Sequence, residues 1–249
     1  MIDYYKFQKK TSCELSLSYN AESNFVHRHL NISIKISFLM TSITDIHRHP
    51  ERSVHDMETA YSILDQSLLA HVAFSSDSTV FNIPMVFARI GSYLYFHSLK
   101  EGRFYKALKS GIPVSVNVTI LDGIVLAKSA FNTSMHYRSV VVFGSMEEVT
   151  DNDEKMRISQ ALAEKMVPGR WNDCRHPSQE EISTTGFLKL SLDVISVKVN
   201  TSGPNEKKSD EDLPYWSGII KLHTVIEAIP KDHDIILPEY ITDYVRRNI

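Results

Sequence analysis

The stretch Phe81–Gly111, FNIPMVFARIGSYLYFHSLKEGRFYKALKSG, contains the signals that decide the fold. Its alternating apolar residues predict two strands joined by a tight turn, and the second strand leads directly into a short helix. The strand end and the first helical turn carry a group of polar residues and a glycine, namely His97, Ser98, Lys100, Gly102 and Arg103. Cations, hydroxyls and free backbone N–H groups at the start of a helix predict a site for an anion.

This order of elements differs from the common glycine-rich nucleotide loops. The sequence has neither the G-x-G-x-x-G pattern of a dinucleotide-binding βαβ unit nor the G-x-x-x-x-G-K-[ST] pattern of a P-loop. Regularly alternating helices and strands are also missing from the pattern, which argues against a doubly wound parallel sheet.

Composition narrows the class of protein. The 249 residues are 43% hydrophobic and 23% charged, which suits one domain with a sizeable core. A net charge of −3 gives no indication of a nucleic acid or membrane partner, and no run approaches the ~20 apolar residues of a transmembrane helix. Two cysteines, Cys13 and Cys174, are too few for a disulfide framework and predict reduced thiols in a cytoplasmic protein.

The chain divides into three predicted segments. Residues 1–40 lack sustained periodicity and are interpreted as an N-terminal extension, residues 41–230 as the folded domain, and residues 231–249 as a weakly determined C-terminal tail. Met40 begins the run MTSITDIHRHPERS, so a translation start there is a hypothesis that mass spectrometry of the native N-terminus would test.

Hydrophobic periodicity predicts eight strands and four helices. The strands are predicted near residues 68–75, 80–89, 92–97, 113–121, 124–130, 138–149, 187–199 and 217–226. The helices are predicted near residues 57–68, 100–109 and 152–167, with a short one after Ser178. Many antiparallel strands with few helices predict a mainly β protein with a closed or semi-closed barrel, because closure removes exposed sheet edges.

Local signals predict where some of these elements begin and turn. Ser53 with Asp56, and Ser178 with Glu181, match the capping-box pattern at two helix starts. Asp122-Gly123 and Ile90-Gly91 each predict a tight turn between two strands.

Eight segments, in this order along the chain, resemble the FMN-binding split-barrel superfamily, the pyridoxamine 5′-phosphate oxidase-like group. Within that group the chain looks closest to flavin-nucleotide-binding proteins related to nitroimidazole-resistance (Nim-type) reductases. The matching segments are RHPERS (48–53), AHVAF (70–74), FNIPMVFAR (81–89), YFHSLKEGRFYKAL (95–108), VTILDGIVLAKSAF (118–131), MHYRSVVVFG (135–144), VPGRW (167–171) and WSG (216–218). The resemblance covers roughly residues 47–226 and implies an antiparallel, Greek-key split β-barrel that forms a homodimer with FMN at the subunit interface.

The resemblance also implies roles for individual residues. Arg103 fits the family's phosphate-binding arginine, and His97 and Ser98 lie where the strand end meets that phosphate. Ser139 takes the position of a flavin-contacting polar side chain, and Trp216 is a loose match for a residue that approaches the ring from the other subunit. The strand whose backbone edges the flavin ring corresponds to Met85, Val86, Phe87 and Ala88.

The phosphate motif departs from the family pattern. Relatives carry Ser-Arg or Ser-Arg-Lys, whereas this chain has Gly102-Arg103-Phe104, so that one hydroxyl and one cation are missing. Lys100 or Lys106 could replace the cation, although neither has the family position. The tail YVRRNI has no Arg-x-His motif of the kind that grips the substrate phosphate, so pyridoxamine-phosphate oxidase activity is not expected.

Other candidate residues have simpler interpretations. The pairs His27/His29 and His47/His49 could place two imidazoles on one face, but without acidic or cysteine partners at ligand spacing no metal site is predicted. Cys174 is interpreted as a silent thiol rather than a nucleophile.

The sequence therefore predicts an FMN-binding protein that acts as an oxidoreductase on a small molecule. The alternatives are a flavin-binding carrier or sensor without a substrate, the same barrel with haem or a deazaflavin as ligand, and a barrel that has lost its ligand. Haem would require an axial ligand, for which His71 and His97 are the nominal candidates.

Overall fold

A computed structural model describes residues 43–231 and 236–247 of the chain. The predicted extension at residues 1–40, with its His27/His29 pair, lies outside the described residues. Among the described residues, no helix combines the length and the apolar character needed to cross a bilayer.

Antiparallel strands dominate the described chain. The strands are β1 (Ser53–Val54), β2 (Leu69–Ser76), β3 (Thr79–Val86), β4 (Ala88–Ile90), β5 (Tyr93–Leu99), β6 (Pro113–Leu126), β7 (Ser134–Ser145), β8 (Glu147–Glu148), β9 (Thr185–Ser191), β10 (Ile195–Asn200) and β11 (Gly218–Lys221). The helices are α1 (Met57–Gln66), α2 (Arg103–Leu108), α3 (Asn152–Met166), α4 (Gln179–Thr184) and α5 (Glu239–Arg247). The helix α5 lies in the predicted tail, where the sequence pattern indicated no element.

Two sheets enclose the core. The first has the order β1-β10-β7-β6-β2-β3, with β11 paired to the second half of β6, and the second has the order β4-β5-β9-β8. Residues that point inward from both sheets form one buried cluster, for example Val72 and Val116 from the first sheet and Phe96 and Leu190 from the second. The arrangement confirms the predicted antiparallel split barrel.

The outer face of the second sheet has a core of its own. The helices α3 and α4 cover it with Ile158, Leu162 and Ile182, which pack against Tyr95 of β5 and Phe187 of β9. The strand β5 therefore contacts a buried cluster on each of its faces, because successive side chains point to opposite sides of a sheet.

Capping explains where three helices start. Asp151 caps α3 by accepting the N–H of Glu154 at 2.7 Å, and the predicted capping box between Ser178 and Glu181 is confirmed at the start of α4. The prediction for α1 was wrong in its residues, since the cap is Asp56 and the helix begins at Met57. The Asp56 carboxylate accepts two backbone N–H groups, and Ser53 instead belongs to β1.

The predicted hairpin turn at Asp122-Gly123 is wrong. The segment Pro113–Leu126 is one continuous strand, and its pairing with β7 shifts by one residue between Leu121 and Gly123. This is a β-bulge, for which glycine is also suited, so the local signal could not separate the two outcomes. The other predicted turn, at Gly91 between β4 and β5, is confirmed with a positive φ of 59°.

Three other predicted strands are each divided, and one of them is the run 138–149, which contains most of β7 in the first sheet and all of β8 in the second. The run 80–89 is split at Phe87 into β3 of the first sheet and β4 of the second, so the chain passes between the sheets there. The run 187–199 is split into β9 and β10, which also belong to different sheets.

Candidate functional site

Arg103 is the first residue of α2, at the junction between β5 and the helix. Gly102 precedes it as the cap residue, and a Cβ at Gly102 would lie 3.0 Å from the carbonyl oxygen of Leu99, so a side chain there would require a small shift of the turn. The Arg103 guanidinium carbon lies 4.8 Å from the centroid of the Phe81 ring. No described residue forms an ion pair or hydrogen bond with this guanidinium, so its donors remain available.

Phe81 is a supporting residue that the sequence analysis missed. Its ring stacks on Phe74 with centroids 5.3 Å apart, and Phe74 meets Phe104 edge to face at 6.2 Å. These three rings connect β2, β3 and α2, and they hold the exposed Arg103 side chain over a fixed aromatic surface. The sequence contained the aromatic residues but no signal for their contact with Arg103.

Ser98 lies five residues before the start of α2 and has an unusual hydroxyl. Its Oγ is buried and has no hydrogen-bond partner among the described residues. A buried hydroxyl without a partner costs free energy, so an acceptor at this position would stabilise the protein. Ser98 and Arg103 flank the same short turn, in which the N–H of Gly102 donates to the Leu99 carbonyl at 2.9 Å.

Two other cations near this turn already have hydrogen-bond or ion-pair partners. Lys100 donates from Nζ to the carbonyl oxygen of Ser183 at 2.6 Å, and Lys106 pairs with Glu101 at 2.6 Å. Phe104, which follows Arg103, is buried in the core. The structure therefore brings Lys100 close to α4 and leaves Arg103 as the available cation.

His97 faces a different part of the molecule from Ser98. It lines a cavity of about 420 Å³ together with Phe187, Leu162 and Arg175, and its ring centroid is 6.4 Å from that of Phe187. One side of the imidazole is open to the cavity, while the surrounding protein displaces bulk water and lowers the pKa of His97. The prediction placed His97 and Ser98 together, and the strand separates them onto opposite faces.

The stretch from Met85 to Ala88 contributes its side chains to the two buried clusters. Phe87 is fully buried in the barrel core and Ala88 is buried against α3, while Met85 and Val86 are partly buried beside them. Phe87 itself belongs to neither β-ladder, since β3 pairs through Val86 and β4 through Ala88. Any ligand contact here would use the backbone between the two sheets.

Ser139 and Trp216 lie away from Arg103 along the first sheet. Ser139 of β7 pairs with Thr119 and with Lys198, and its side chain points away from the core because its neighbour Val140 points inward. Strand β7 is three positions from β3, a separation of about 14 Å along the sheet. Trp216 is 64% exposed and its ring folds over Gly218 at the start of β11.

Metal-binding geometry is not found in the part of the chain that the structure describes. No group of three or more His, Cys, Asp or Glu side chains occurs there in an arrangement that could hold a metal ion. His49 of the His47/His49 pair instead contacts Glu51 at 2.9 Å. The half-buried thiol of Cys174 approaches the carbonyl oxygen of Trp171 at 3.6 Å.

Comparison with known proteins was made at the level of family, curated sequence and solved structure. The family model described as pyridoxamine 5′-phosphate oxidase matches residues 56–199, a range that includes Ser98, Arg103 and Ser139. No curated protein matches the chain.

Solved structures resemble the chain over most of its length. The FAD and haem binding protein from Mycobacterium smegmatis is 31% identical, with a TM-score of 0.73, over 77% of this chain and 96% of that one. A flavocytochrome from Azotobacter vinelandii is 32% identical, with a TM-score of 0.75, over 80% of this chain and 95% of that one.

A more distant structure shares the fold alone. It is a 5-nitroimidazole antibiotic resistance protein from Bacteroides thetaiotaomicron, 20% identical with a TM-score of 0.51, over 59% of this chain and 86% of that one.

Proposed function

The chain belongs to the pyridoxamine 5′-phosphate oxidase family, and on that premise we propose that it binds FMN and acts as a flavin-dependent oxidoreductase on a small molecule. The flavin would supply the hydride or electron chemistry. The chain's own residues would hold the phosphate, orient the ring and shape the cavity beside it.

Arg103 carries the proposal. Its guanidinium is held over Phe81, has no partner among the described residues and begins a helix, so it can donate two hydrogen bonds to one phosphate. The buried Oγ of Ser98, on the other side of the same turn, lacks an acceptor that a phosphate oxygen would provide. The residues present therefore fit the phosphate of a flavin nucleotide.

The flavin ring would lie along the break between β3 and β4. The peptide groups at Phe87 are outside both ladders and can hydrogen-bond to the polar edge of a ring, while the side chains of Phe87 and Ala88 close the core behind it. Ser139 and Trp216 would contribute from the other subunit's copy of the sheet, because they are distant from Arg103 within one protomer. This arrangement requires the homodimer, which is part of the proposal.

A phosphate site with one available cation predicts modest affinity. Lys100 and Lys106 are engaged and Phe104 is buried, so Arg103 neutralises the phosphate alone. This observation favours the alternative of a flavin carrier or sensor over that of a fast enzyme. Turnover with NADH or NADPH and a small-molecule acceptor separates the two, since a carrier binds FMN without sustained oxidation of the reductant.

The test of the flavin proposal is an absorption spectrum of the purified protein, followed by titration with FMN, FAD and riboflavin. We expect saturable binding of FMN and at least about tenfold weaker binding of riboflavin, which lacks the phosphate. Equal affinity for FMN and riboflavin would disprove the phosphate site. Light scattering tests the dimer, which a monomer with full FMN occupancy would contradict.

A second candidate ligand is haem, and His97 favours it. The solved structure that is 31% identical is named as an FAD and haem binding protein, and the one that is 32% identical is named as a flavocytochrome. His97 opens onto a cavity lined partly by Leu162, Ile182 and Phe187, and its lowered pKa favours the neutral imidazole that an axial ligand requires. No described residue hydrogen-bonds to this ring, and Arg175 of the cavity lining is paired with Glu181 at 2.7 Å.

Haem titration of matched histidine variants tests this second candidate. We expect a Soret band on haem addition that is lost in His97→Ala and retained in His71→Ala, since His71 lies on β2 of the first sheet and does not line this cavity. A Soret band that survives in His97→Ala would reject His97 as the ligand.

A further inference from the structure

A second large cavity lies away from Arg103 within one protomer, beside the strand β7 that carries Ser139. It has a volume of about 860 Å³ and lies between the turn around residues 48–52, the loop that precedes β7 and the loop that follows β10. This volume is in the range of small-molecule sites. None of Ser98, Arg103 and Phe87 lines it, so it is separate from the phosphate site proposed above.

Cations dominate the charged lining of this cavity. Arg48, Arg52 and Lys198 line it, and Glu51 is the one acidic residue among the described lining residues. Glu51 is shared between His49, at 2.9 Å, and Arg52, at 3.8 Å. The lining thus has an excess of positive charge that a dianion would balance.

The donors of these cations are largely unused. No described residue pairs with the Arg48 guanidinium, and Lys198 donates from Nζ to the backbone carbonyl of Arg48 at 2.9 Å. Glu206, which follows the lining residues of the loop after β10, accepts the backbone N–H of Lys128 through Oε1 at 2.9 Å. Its buried Oε2 has no partner among the described residues, and Glu206 does not line the cavity. The lining therefore offers more donors than the single carboxylate of Glu51 can accept.

Asn132 provides independent evidence for a missing acceptor. Its side-chain Nδ2 is buried and has no hydrogen-bond partner among the described residues, although the residue lines the cavity. A buried amide N–H₂ group without an acceptor is destabilising, and an anion oxygen in the cavity would satisfy it. The arginines and this amide come from segments about 80 residues apart in the chain.

An exposed aromatic ring stands at the edge of the same cavity. Phe131 is 87% exposed, and it is held in a short helical turn whose first residues are fixed by Ser129 Oγ accepting the Phe131 N–H at 3.3 Å. Tyr137 of β7 also lines the cavity. Exposed rings beside an excess of cations are the two features that proteins use to bind phosphorylated aromatic molecules.

We propose that this cavity binds a phosphorylated aromatic ligand of the nucleotide class, with its phosphate on Arg48, Arg52, Lys198 and the Asn132 amide and its base against Phe131. Strand β10, which carries Lys198, is four positions from β3 in the first sheet, about 19 Å along the sheet. Arg103 packs on Phe81 of β3, so one protomer holds both sites at the same time.

Calorimetry on the full chain with AMP, adenosine and inorganic phosphate tests the proposal. We expect saturable binding of AMP, and at least about tenfold weaker binding of adenosine and of inorganic phosphate, since each lacks one of the two recognised groups. Arg48→Gln and Arg52→Gln should each weaken AMP binding about tenfold. Phe131→Ala should weaken the binding of AMP and leave that of phosphate unchanged.

Two control variants make the result specific. Arg246→Gln removes an exposed arginine from α5 and should leave the affinity for AMP unchanged. Arg103→Ala should weaken the binding of FMN and leave the binding of AMP unchanged. Failure of this proposal is therefore distinguishable from failure of the flavin site. Thermal unfolding of each variant checks the fold, and the exposed Arg48 provides a variant that leaves the core intact.

Three outcomes would overturn the proposal. The first is the absence of saturable AMP binding, and the second is AMP binding that neither Arg48→Gln nor Arg52→Gln changes. The third is stoichiometric displacement of AMP by FMN, which would mean that the two ligands share one site.

Discussion

His97 and Ser98 are consecutive residues of β5, and their side chains face opposite sides of the second sheet. His97 opens onto the cavity beneath α3 and α4, 6.4 Å from the Phe187 ring centroid. Ser98 shares its face of the strand with Leu94 and Phe96, which belong to the barrel core. One strand end therefore carries residues of two places in the fold, the proposed phosphate site at Arg103 and the cavity lined by His97 behind the sheet.

Loss of Arg103 should weaken flavin binding. Arg103→Ala removes the available cation at the start of α2, and we expect the FMN affinity to fall by about 1.5–3 kcal/mol, the usual range for hydrogen bonds to a charged group. Lys106→Ala on the same helix is the matched control, because Lys106 is exposed and pairs with Glu101. Calorimetry that finds equal FMN affinity in both variants would reject Arg103 as the phosphate ligand.

Gly186 should tolerate no side chain. A Cβ at this position of β9 would overlap the ring of Tyr105, which is buried and hydrogen-bonds to Glu148. We expect Gly186→Ala to lower the free energy of unfolding by about 1–3 kcal/mol through overpacking. Gly203→Ala, where a Cβ meets no atom within 4 Å, should be near neutral in the same urea titration. Equal stability of the two variants would contradict the packing of Tyr105 on β9.

Lys165 should make stability depend on alkaline pH. Its Nζ donates to the Leu64 carbonyl at 2.6 Å and lies 3.8 Å from the Phe87 ring centroid, and burial lowers the pKa of Lys165 to about 8 from 10.5. Between these values the unfolded chain holds the proton that the folded chain releases, so raising the pH favours the folded state.

Comparison with Lys165→Met isolates this effect. The difference in unfolding free energy, wild type minus variant, should increase from pH about 8 to about 10.5 and be constant below this window. Because Lys165 is partly exposed, the change will be smaller than the full pKa shift implies. A difference that falls with rising pH would show that the folded state holds the proton more tightly than the unfolded chain does.

Glu164 should stabilise the loop that follows α3. Its carboxylate accepts the backbone N–H of Gly169 at 2.8 Å and that of Trp171 at 2.9 Å. Glu164→Ala leaves both donors without this partner, and we expect a loss of about 1–3 kcal/mol in unfolding free energy. Glu164→Gln retains one acceptor oxygen and should lose less. An alanine variant as stable as wild type in denaturant titration would show that water satisfies both groups.

Features that depend only on residues close together in the sequence could be predicted. Alternation of apolar residues in β2 placed Ala70, Val72 and Phe74 on one face, and these three are buried. The capping box of Ser178 and Glu181 was also predictable, because its two hydrogen bonds join residues three apart. The position of Arg103 at a helix start followed from the same local signals.

Local signals failed where two structures satisfy the same residues. Asp122-Gly123 suits a hairpin turn as well as a bulge. The structure has the bulge, because β6 continues to pair with β7 on both sides of these residues. Likewise the alternation through residues 80–89 continued past Phe87, although the chain passes from one sheet to the other there.

By itself the sequence determined the alternation of β2, the capping box that begins α4 and the helical turn that carries Arg103, because each depends on the conformation and period of a few adjacent residues. Only the tertiary structure decided which distant residues each strand, helix or loop contacts. It placed α3 over His97, engaged Lys100 with Ser183, and brought Arg48 and Asn132 to the cavity of Lys198. These relationships join residues tens of positions apart in the chain, and their free energy comes from long-range packing that no local pattern records.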